Sequence, residues 1–326
     1  MAALGDKEQQ LFGILRGMRR VIVAFSGGTD SAYLAWAANR TLGPNAIAIT
    51  ADSASLPDSH KRDAEAFARR FGIVHEYVKT REFDNPEYTR NGPDRCFHCK
   101  DELFTRLAEV GRERGYEHIV YGVNVDDLGD YRPGQAAARQ HLVAAPLAEA
   151  GLTKAEIREL SRLADLPTWD RPAAACLSSR IPYGTAVTID NVKTVEAGEE
   201  QLKALGFRQF RVRFHGDVVR IEIAREEMAG ALNLDMARRF TELFRGLGFR
   251  YVTLDLEGYR QGSLNEVLPI GGAGGFARQS SEHTVTVSAP PIAPAAPRNS
   301  PPDRNTRTLA TGTSVPESDT SPAGGN

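Results

Sequence analysis

Apolar residues in the first half of the chain fall in short continuous blocks separated by stretches of helical periodicity. Val21-Ile22-Val23-Ala24-Phe25 and Ala46-Ile47-Ala48-Ile49-Thr50-Ala51 are too short for helices and read as strands buried on both faces. His75 to Val78 and Ile119 to Val123 read as two more. Leu11, Ile14 and Leu15 share one side of a helix over about 6–17. Further helices are expected from Asp30 or Ser31 through Ala38, over Asp58 to Phe71, and from about His98 to Arg114. Thr153-Lys154-Ala155-Glu156 is a capping sequence that opens a helix to Leu163. Strands alternating with helices imply a doubly wound parallel sheet with crossovers on both faces.

The pattern changes after Pro167 and Pro172, which bracket a junction at 168–172. Beyond it the periodicity predicts a helix over Asp190 to Leu205 and strands Phe210–Phe214 and Val218–Ile223 around a His215-Gly216-Asp217 turn. A helix over Leu234 to Leu247 and a strand over Tyr251 to Leu256 complete a smaller α+β domain. From about Pro269 the chain is rich in Gly, Pro, Ser and Thr without apolar periodicity, and so cannot bury a core. The expected organisation is an α/β domain at 1–170, the α+β domain at 171–270 and a disordered tail at 271–326.

In a doubly wound sheet, ligands sit at the carboxyl ends of the strands. Here those ends carry Ser26-Gly27-Gly28-Thr29-Asp30-Ser31, Ala51-Asp52-Ser53 and Gly122-Val123-Asn124-Val125-Asp126-Asp127. A strand, a two-glycine turn and a helix N-terminus make a phosphate site, because backbone N–H groups point at the anion with the helix dipole behind them. Ala24 leads into this turn, and Ser26 and Ser31 add hydroxyls. It is neither a Walker loop nor a GxGxxG turn. The plainer alternative is a capped helix after a glycine turn. Ala51 and Ser53 are expected beside an adenosine, with Gly122 allowing close backbone approach to it. Asp126 and Asp127 are expected either to hold Mg²⁺ or to form a solvated turn.

A net charge of −2 with 25% charged residues excludes a strongly basic nucleic-acid binder, and no apolar run approaches a membrane span. The N-terminus lacks the apolar segment of a signal peptide, and the reading is cytoplasmic. The three cysteines, Cys96, Cys99 and Cys176, are too few and odd in number for a disulfide framework. Cys96 and Cys99 form a CxxC at a helix start. With Cys176 they supply three ligands, which leaves zinc, an iron–sulfur cluster with an open iron, and thiol exchange all open. Arg180 beside Cys176 favours its thiolate. Arg211 and Arg213 share one face of a strand, as a solvated edge or as an anion clamp.

The Ser-Gly-Gly-x-Asp-Ser loop resembles that of the PP-loop ATP pyrophosphatases. Together with Cys176-Leu177-Ser178-Ser179-Arg180-Ile181-Pro182-Tyr183-Gly184 and Leu254-Asp255-Leu256-Glu257-Gly258-Tyr259-Arg260, the chain resembles the LarE family over about 6–268. The resemblance implies a PP-loop fold, adenine nucleotide α-hydrolase-like, and an ATP-dependent sulfur transferase of nickel-pincer nucleotide synthesis. Such an enzyme adenylylates carboxylates of pyridinium-3,5-biscarboxylic acid mononucleotide, releases pyrophosphate and forms thiocarboxylates. It further implies ATP and Mg²⁺ as cofactors, and a [4Fe–4S] cluster on Cys96, Cys99 and Cys176; a sacrificed Cys176 sulfur is the alternative. Lys100, Arg180, Arg211 and Arg213 are implied at the substrate's phosphate and carboxylates. No nucleic acid or membrane is expected as partner. A homo-oligomer is, along with contacts to other proteins of the same biosynthesis. A tRNA-thiolating PP-loop enzyme would want a basic surface and an RNA-binding appendage, and the near-neutral charge and the absence of a second Cys cluster argue against it. A nucleotide-sensing module would leave Cys176 unexplained.

Overall fold

A computed structural model describes residues 2–128, 133–172 and 175–260. The tail at 271–326 lies outside the described residues. Four parallel strands form the larger sheet: β1 (Val21–Ala24), β2 (Ala46–Asp52), β3 (Val74–Lys79) and β4 (His118–Tyr121), in the order β3-β2-β1-β4. A single parallel bridge from Val120 to Ala144 extends it beyond β4. The chain runs outward from β1 to β3 and then crosses back to the other side of β1, so the topological switch lies between β1 and β4.

Consecutive side chains of the inner strands point to opposite faces, and each face has its own core. Val21, Val23, Phe25 and Ala48 pack with Leu11 and Leu15 of α1 (Ala2–Met18), Ala32 and Ala35 of α2 (Thr29–Leu42) and Phe67 of α3 (Asp58–Arg70). On the opposite face, Ile22, Ala24, Ile47 and Ile49 pack against other helices. After the short helix α4 (Pro86–Thr89), α5 (Arg95–Arg114) supplies Leu103, Phe104 and Leu107. The helix α6 (Pro133–Gln140) adds Ala137 and Ala138. Residues buried on both faces explain the unbroken apolar blocks. A short helix α7 (Pro146–Glu149) precedes α8 (Lys154–Leu163), which starts on the expected capping box between Thr153 and Glu156.

The smaller sheet begins after helix α9 (Ile189–Ala204). Strands β5 (Phe210–His215) and β6 (Val218–Ile223) form the expected hairpin. The short helix α10 (Met228–Ala231) and α11 (Leu234–Gly246) then lead to β7 (Tyr251–Leu254), which pairs parallel to β6. One face carries Val212, Val219 and Ile221 into a core with Val195 of α9 and Phe240 and Phe244 of α11. This core also takes in Tyr88, Leu177 and Ile181, so residues before and after the 168–172 junction share apolar packing. Among the described residues no helix is long and apolar enough to cross a membrane.

Candidate active site

The turn after β1 has the backbone its sequence demands. Gly27 stands at φ 74°, the left-handed region that glycine enters without strain, and Gly28 is the extended N-cap of α2. Ser31 Oγ accepts from the Ser26 N–H at 3.2 Å, lies 3.0 Å from Ser26 Oγ and donates to the Gly28 carbonyl at 3.2 Å. Thr29 Oγ1 donates to the Thr168 carbonyl at 2.8 Å. Ala24 closes β1, directly before the loop. Asp30 pairs with Lys154, and its Oδ1 is buried without a hydrogen-bond partner among the described residues.

Gly122 comes close to this loop itself: a Cβ there would stand 2.7 Å from the Ser31 backbone nitrogen. The missing side chain therefore lets β4 lie against the start of α2. Ser53 is buried, with its hydroxyl donating to Glu82 and lying 2.8 Å from Ser55 Oγ. Ala51 is half-buried on β2. The Asp126 carboxylate accepts the Lys154 N–H at 2.8 Å, and Asp127 accepts the Asn124 N–H at 3.2 Å. Both therefore serve as caps, one on α8 and one on their own turn.

Cys176 lies close enough to Cys96 and Cys99 for its charge to act on both. Cys96 and Cys99 open α5, and Cys176 precedes a 3₁₀ turn at Leu177–Arg180. Burial raises the Cys99 thiol well above its ordinary range, helped by the negative charge of Glu82 and by Cys176. Burial and Cys176 also raise Cys96, while the cations of Arg95 and Lys100 work against them. A negative charge on Cys176 thus opposes ionisation of both CxxC thiols, as expected of groups close to one another. The three sulfurs do not all lie within 4.8 Å of one another. Three ~2.3 Å bonds to a single tetrahedral zinc would hold them ~3.8 Å apart. Glu82 Oε2 is buried here without a hydrogen-bond partner among the described residues. Nearby, Glu87, Asp94 and His98 bring ligand atoms within 4.8 Å of one another, with Arg90 paired to both carboxylates.

Arg180 is turned inward, which its sequence position does not reveal. Its Nε and Nη2 donate to Glu199 at 2.8 and 2.9 Å, and its Nη1 donates to the carbonyls of Ala175 and Cys176 at 2.7 and 2.9 Å. Arg211 and Arg213 do share a face of β5. Arg213 reaches Ser179 O and the fully buried Glu222, and Arg211 lies over the Tyr259 ring at 4.9 Å. Lys100 stands over the Phe104 ring at 5.7 Å. A cavity of about 480 Å³ is lined by His60, Arg171, Leu177, Arg180, Lys203 and Arg211, among others. Burial and the charges of Arg171 and Arg180 push His60 below its ordinary pKa.

A strap comprising 168–172 and 175–180 joins these parts. Arg171 donates to the Gly27 carbonyl at 3.0 Å, the Leu177 N–H donates to Ser55 O at 2.8 Å, and Arg95 donates to Ser178 O at 2.8 Å. Over 82% of this chain and 97% of the relative, the sequence is 35% identical to the pyridinium-3,5-bisthiocarboxylic acid mononucleotide synthase of Lactiplantibacillus plantarum. The chain belongs to the LarE family. Its parallel sheet and the loop between β1 and α2 are the PP-loop fold of that family. An uncharacterized Synechocystis protein is 45% identical to this LarE-family chain over 80% of it and 96% of the relative. An uncharacterized protein of Methanocaldococcus jannaschii is 26% identical over 74% of the chain and 91% of that protein. No protein-family model matches.

Proposed function

We propose that this chain uses ATP to convert the carboxylates of pyridinium-3,5-biscarboxylic acid mononucleotide to thiocarboxylates, a step of nickel-pincer nucleotide synthesis. The observation that carries the reading is the strap: one segment is hydrogen-bonded to the phosphate loop at Gly27 and to the CxxC helix through Ser178, with Cys176 between. That arrangement supports activation and sulfur delivery taking place side by side.

A carboxylate resists substitution because oxide is a poor leaving group. In the proposed reaction a substrate carboxylate oxygen attacks the α-phosphorus of ATP and pyrophosphate departs into the donors of Ser26 to Ser31. Sulfur then adds to the acyl carbon of the adenylate, and the carbon–oxygen bond to AMP breaks. The buried Oδ1 of Asp30 is an oxygen ligand that would suit Mg²⁺, whose charge would offset that of the phosphates. The cavity has the size for a mononucleotide, and its wall offers His60, Arg171, Lys203 and Arg211 to the anionic groups, alongside the carboxylates of Asp63, Glu196, Glu199 and Glu200.

The thiol set fits a [4Fe–4S] cluster, since the CxxC thiols, whose ionisation is opposed by burial and by Cys176, would gain a counter-charge on ligating iron. Cys96, Cys99 and Cys176 would hold it, and when bound it would supply sulfide. The chain's own residues orient that site: Arg180 fixes the backbone at Cys176, and Arg95 fixes the turn after it.

The test is product mass after incubation with ATP, Mg²⁺ and the pyridinium dicarboxylate. A shift from carboxylate to thiocarboxylate, sustained by added sulfide in iron-reconstituted protein, is the expected result. Iron-free protein that thiolates once per chain would instead assign the sulfur to Cys176 itself. No thiocarboxylate under any condition would end the reading.

A further inference from the structure

We propose that Asn91 and Arg95 are positioning residues that hold Cys176 against Cys96 and Cys99 before any metal is bound. The inference deepens the sulfur-transfer reading and rests on it for its functional consequence, though not for its geometry.

Asn91 is wholly buried at φ 61°, a left-handed conformation that asparagine tolerates better than other side-chain-bearing residues. Its Nδ2 donates to the carbonyls of Ile181, Pro182 and Thr185 at 3.2, 2.8 and 2.8 Å. Its Oδ1 accepts from Arg95 Nη1 at 2.5 Å, and its own carbonyl accepts the Gly184 N–H at 3.1 Å. That single Arg95 nitrogen also donates to Ser178 O at 2.8 Å, and Tyr88 Oη lies 2.7 Å from Ser178 Oγ. Further along the same segment, the Val187 N–H donates to Thr89 O at 2.9 Å.

The chemistry of the amide is specific. Aspartate would turn an acceptor toward three carbonyls, and glycine would keep the backbone while leaving those carbonyls without a donor. The placement is equally specific. Arg95 is bonded to Cys96 through one peptide unit, and Ser178 lies two residues past Cys176. The grip therefore fastens the two cysteine-bearing segments immediately beside their sulfurs, using only protein hydrogen bonds. Buried and shielded from water, such bonds are costly to lose.

The experiment uses metal-free, reduced full-length protein and the thiol-bridging reagent dibromobimane, which joins two nearby thiols with loss of two bromides and two protons. Peptide mass analysis should find Cys176 bridged to Cys96 or Cys99 in the wild type. Arg95→Lys and Asn91→Gly should lose most of that bridge, and the milder Tyr88→Phe should lose part of it. Thiolation by reconstituted Arg95→Lys should slow roughly 10²-fold, the scale of an ångström of misplacement. Pyrophosphate release and its KM for ATP should persist, a split that general destabilisation would not produce. Failure of the wild type to bridge overturns the proposal, as does wild-type bridging in the folded variants or equal loss of both half-reactions. Because bridging is read without ATP or substrate, it stands or falls separately from the assigned reaction.

Discussion

The guanidinium of Arg171 donates to the carbonyl of Gly27, 3.0 Å away, and its other terminal nitrogen pairs with Asp63 at 2.9 Å. A residue five positions before Cys176 is thus fastened to the glycine that shapes the loop between β1 and α2. Arg158 holds the same strap from behind, donating to Trp169 O and Arg171 O at 2.6 and 2.8 Å. Arg171→Ala should loosen this link without touching the loop's hydroxyls. The expected outcome is adenylylation that outruns sulfur transfer, measured as pyrophosphate released per thiocarboxylate formed. An unchanged ratio would show that the strap does not couple the two steps.

Ser31 and Cys176 should separate the half-reactions. Ser31 Oγ is the centre of the loop's hydroxyl network, and in the proposed reaction Ser31→Ala removes a donor from the place where pyrophosphate charge would develop. Loss of one such donor costs roughly 10²–10³ in rate. Cys176→Ala leaves that network intact and should abolish thiolation while sparing substrate-dependent pyrophosphate release. Equal loss of pyrophosphate release in both variants would contradict the division.

The parts legible in the sequence are those whose signals are local. The β1–α2 loop announces itself through a buried apolar run, two glycines and a helix start, and the Thr153–Glu156 cap through its spacing. Arg180 and Glu199 stand 19 residues apart, and no local pattern indicates that they meet as a bidentate pair. Asn91 gives no local signal of its role, since its carbonyl partners come from 181–185. The helix Pro133–Gln140 gives little sequence signal because its inner face is alanine, without a stripe of large apolar residues. Those small residues let it lie against α5, where a Cβ on Gly134 would stand 3.0 Å from Lys100 Cγ. Gly122 does permit a close approach, but the backbone it admits is that of Ser31.

His60 should report on the cavity through its proton. Burial, then repulsion from Arg171 and Arg180, hold its folded pKa below the ordinary value. The unfolded chain therefore binds this proton at higher pH than the folded one. Its contribution to stability is present above about pH 6.5 and lost as pH falls through the unfolded value toward the folded one. An anionic nucleotide in the cavity would offset the two guanidiniums and move the pKa upward, so binding should take up protons in mildly acidic buffer. Imidazole NMR titration with and without the pyridinium dicarboxylate mononucleotide checks both signs. An upward shift with ligand is expected; a free-protein value at or above the ordinary one would remove the premise.

Glu199 should prove structural for Arg180 and functional for Cys176. Arg180 is 3% exposed, so its buried charge is offset by Glu199, which accepts two of its N–H bonds and also the Val212 N–H at 3.2 Å. Removing one partner of a buried pair costs about 3–5 kcal/mol because the other charge is left uncompensated. Glu199→Gln retains one acceptor and should fall near the lower end, about 3 kcal/mol, read from the shift in denaturant midpoint. A double replacement, Arg180→Met with Glu199→Leu, removes both charges together and should recover much of that stability. It would not recover the bonds from Arg180 to the carbonyls of Ala175 and Cys176. A stable double variant that still adenylylates but forms little thiocarboxylate is therefore the expected result. If the double variant thiolated at the wild-type rate, Arg180 would be holding the fold alone, and the placement of Cys176 would have to come from the Ser178 side of the turn.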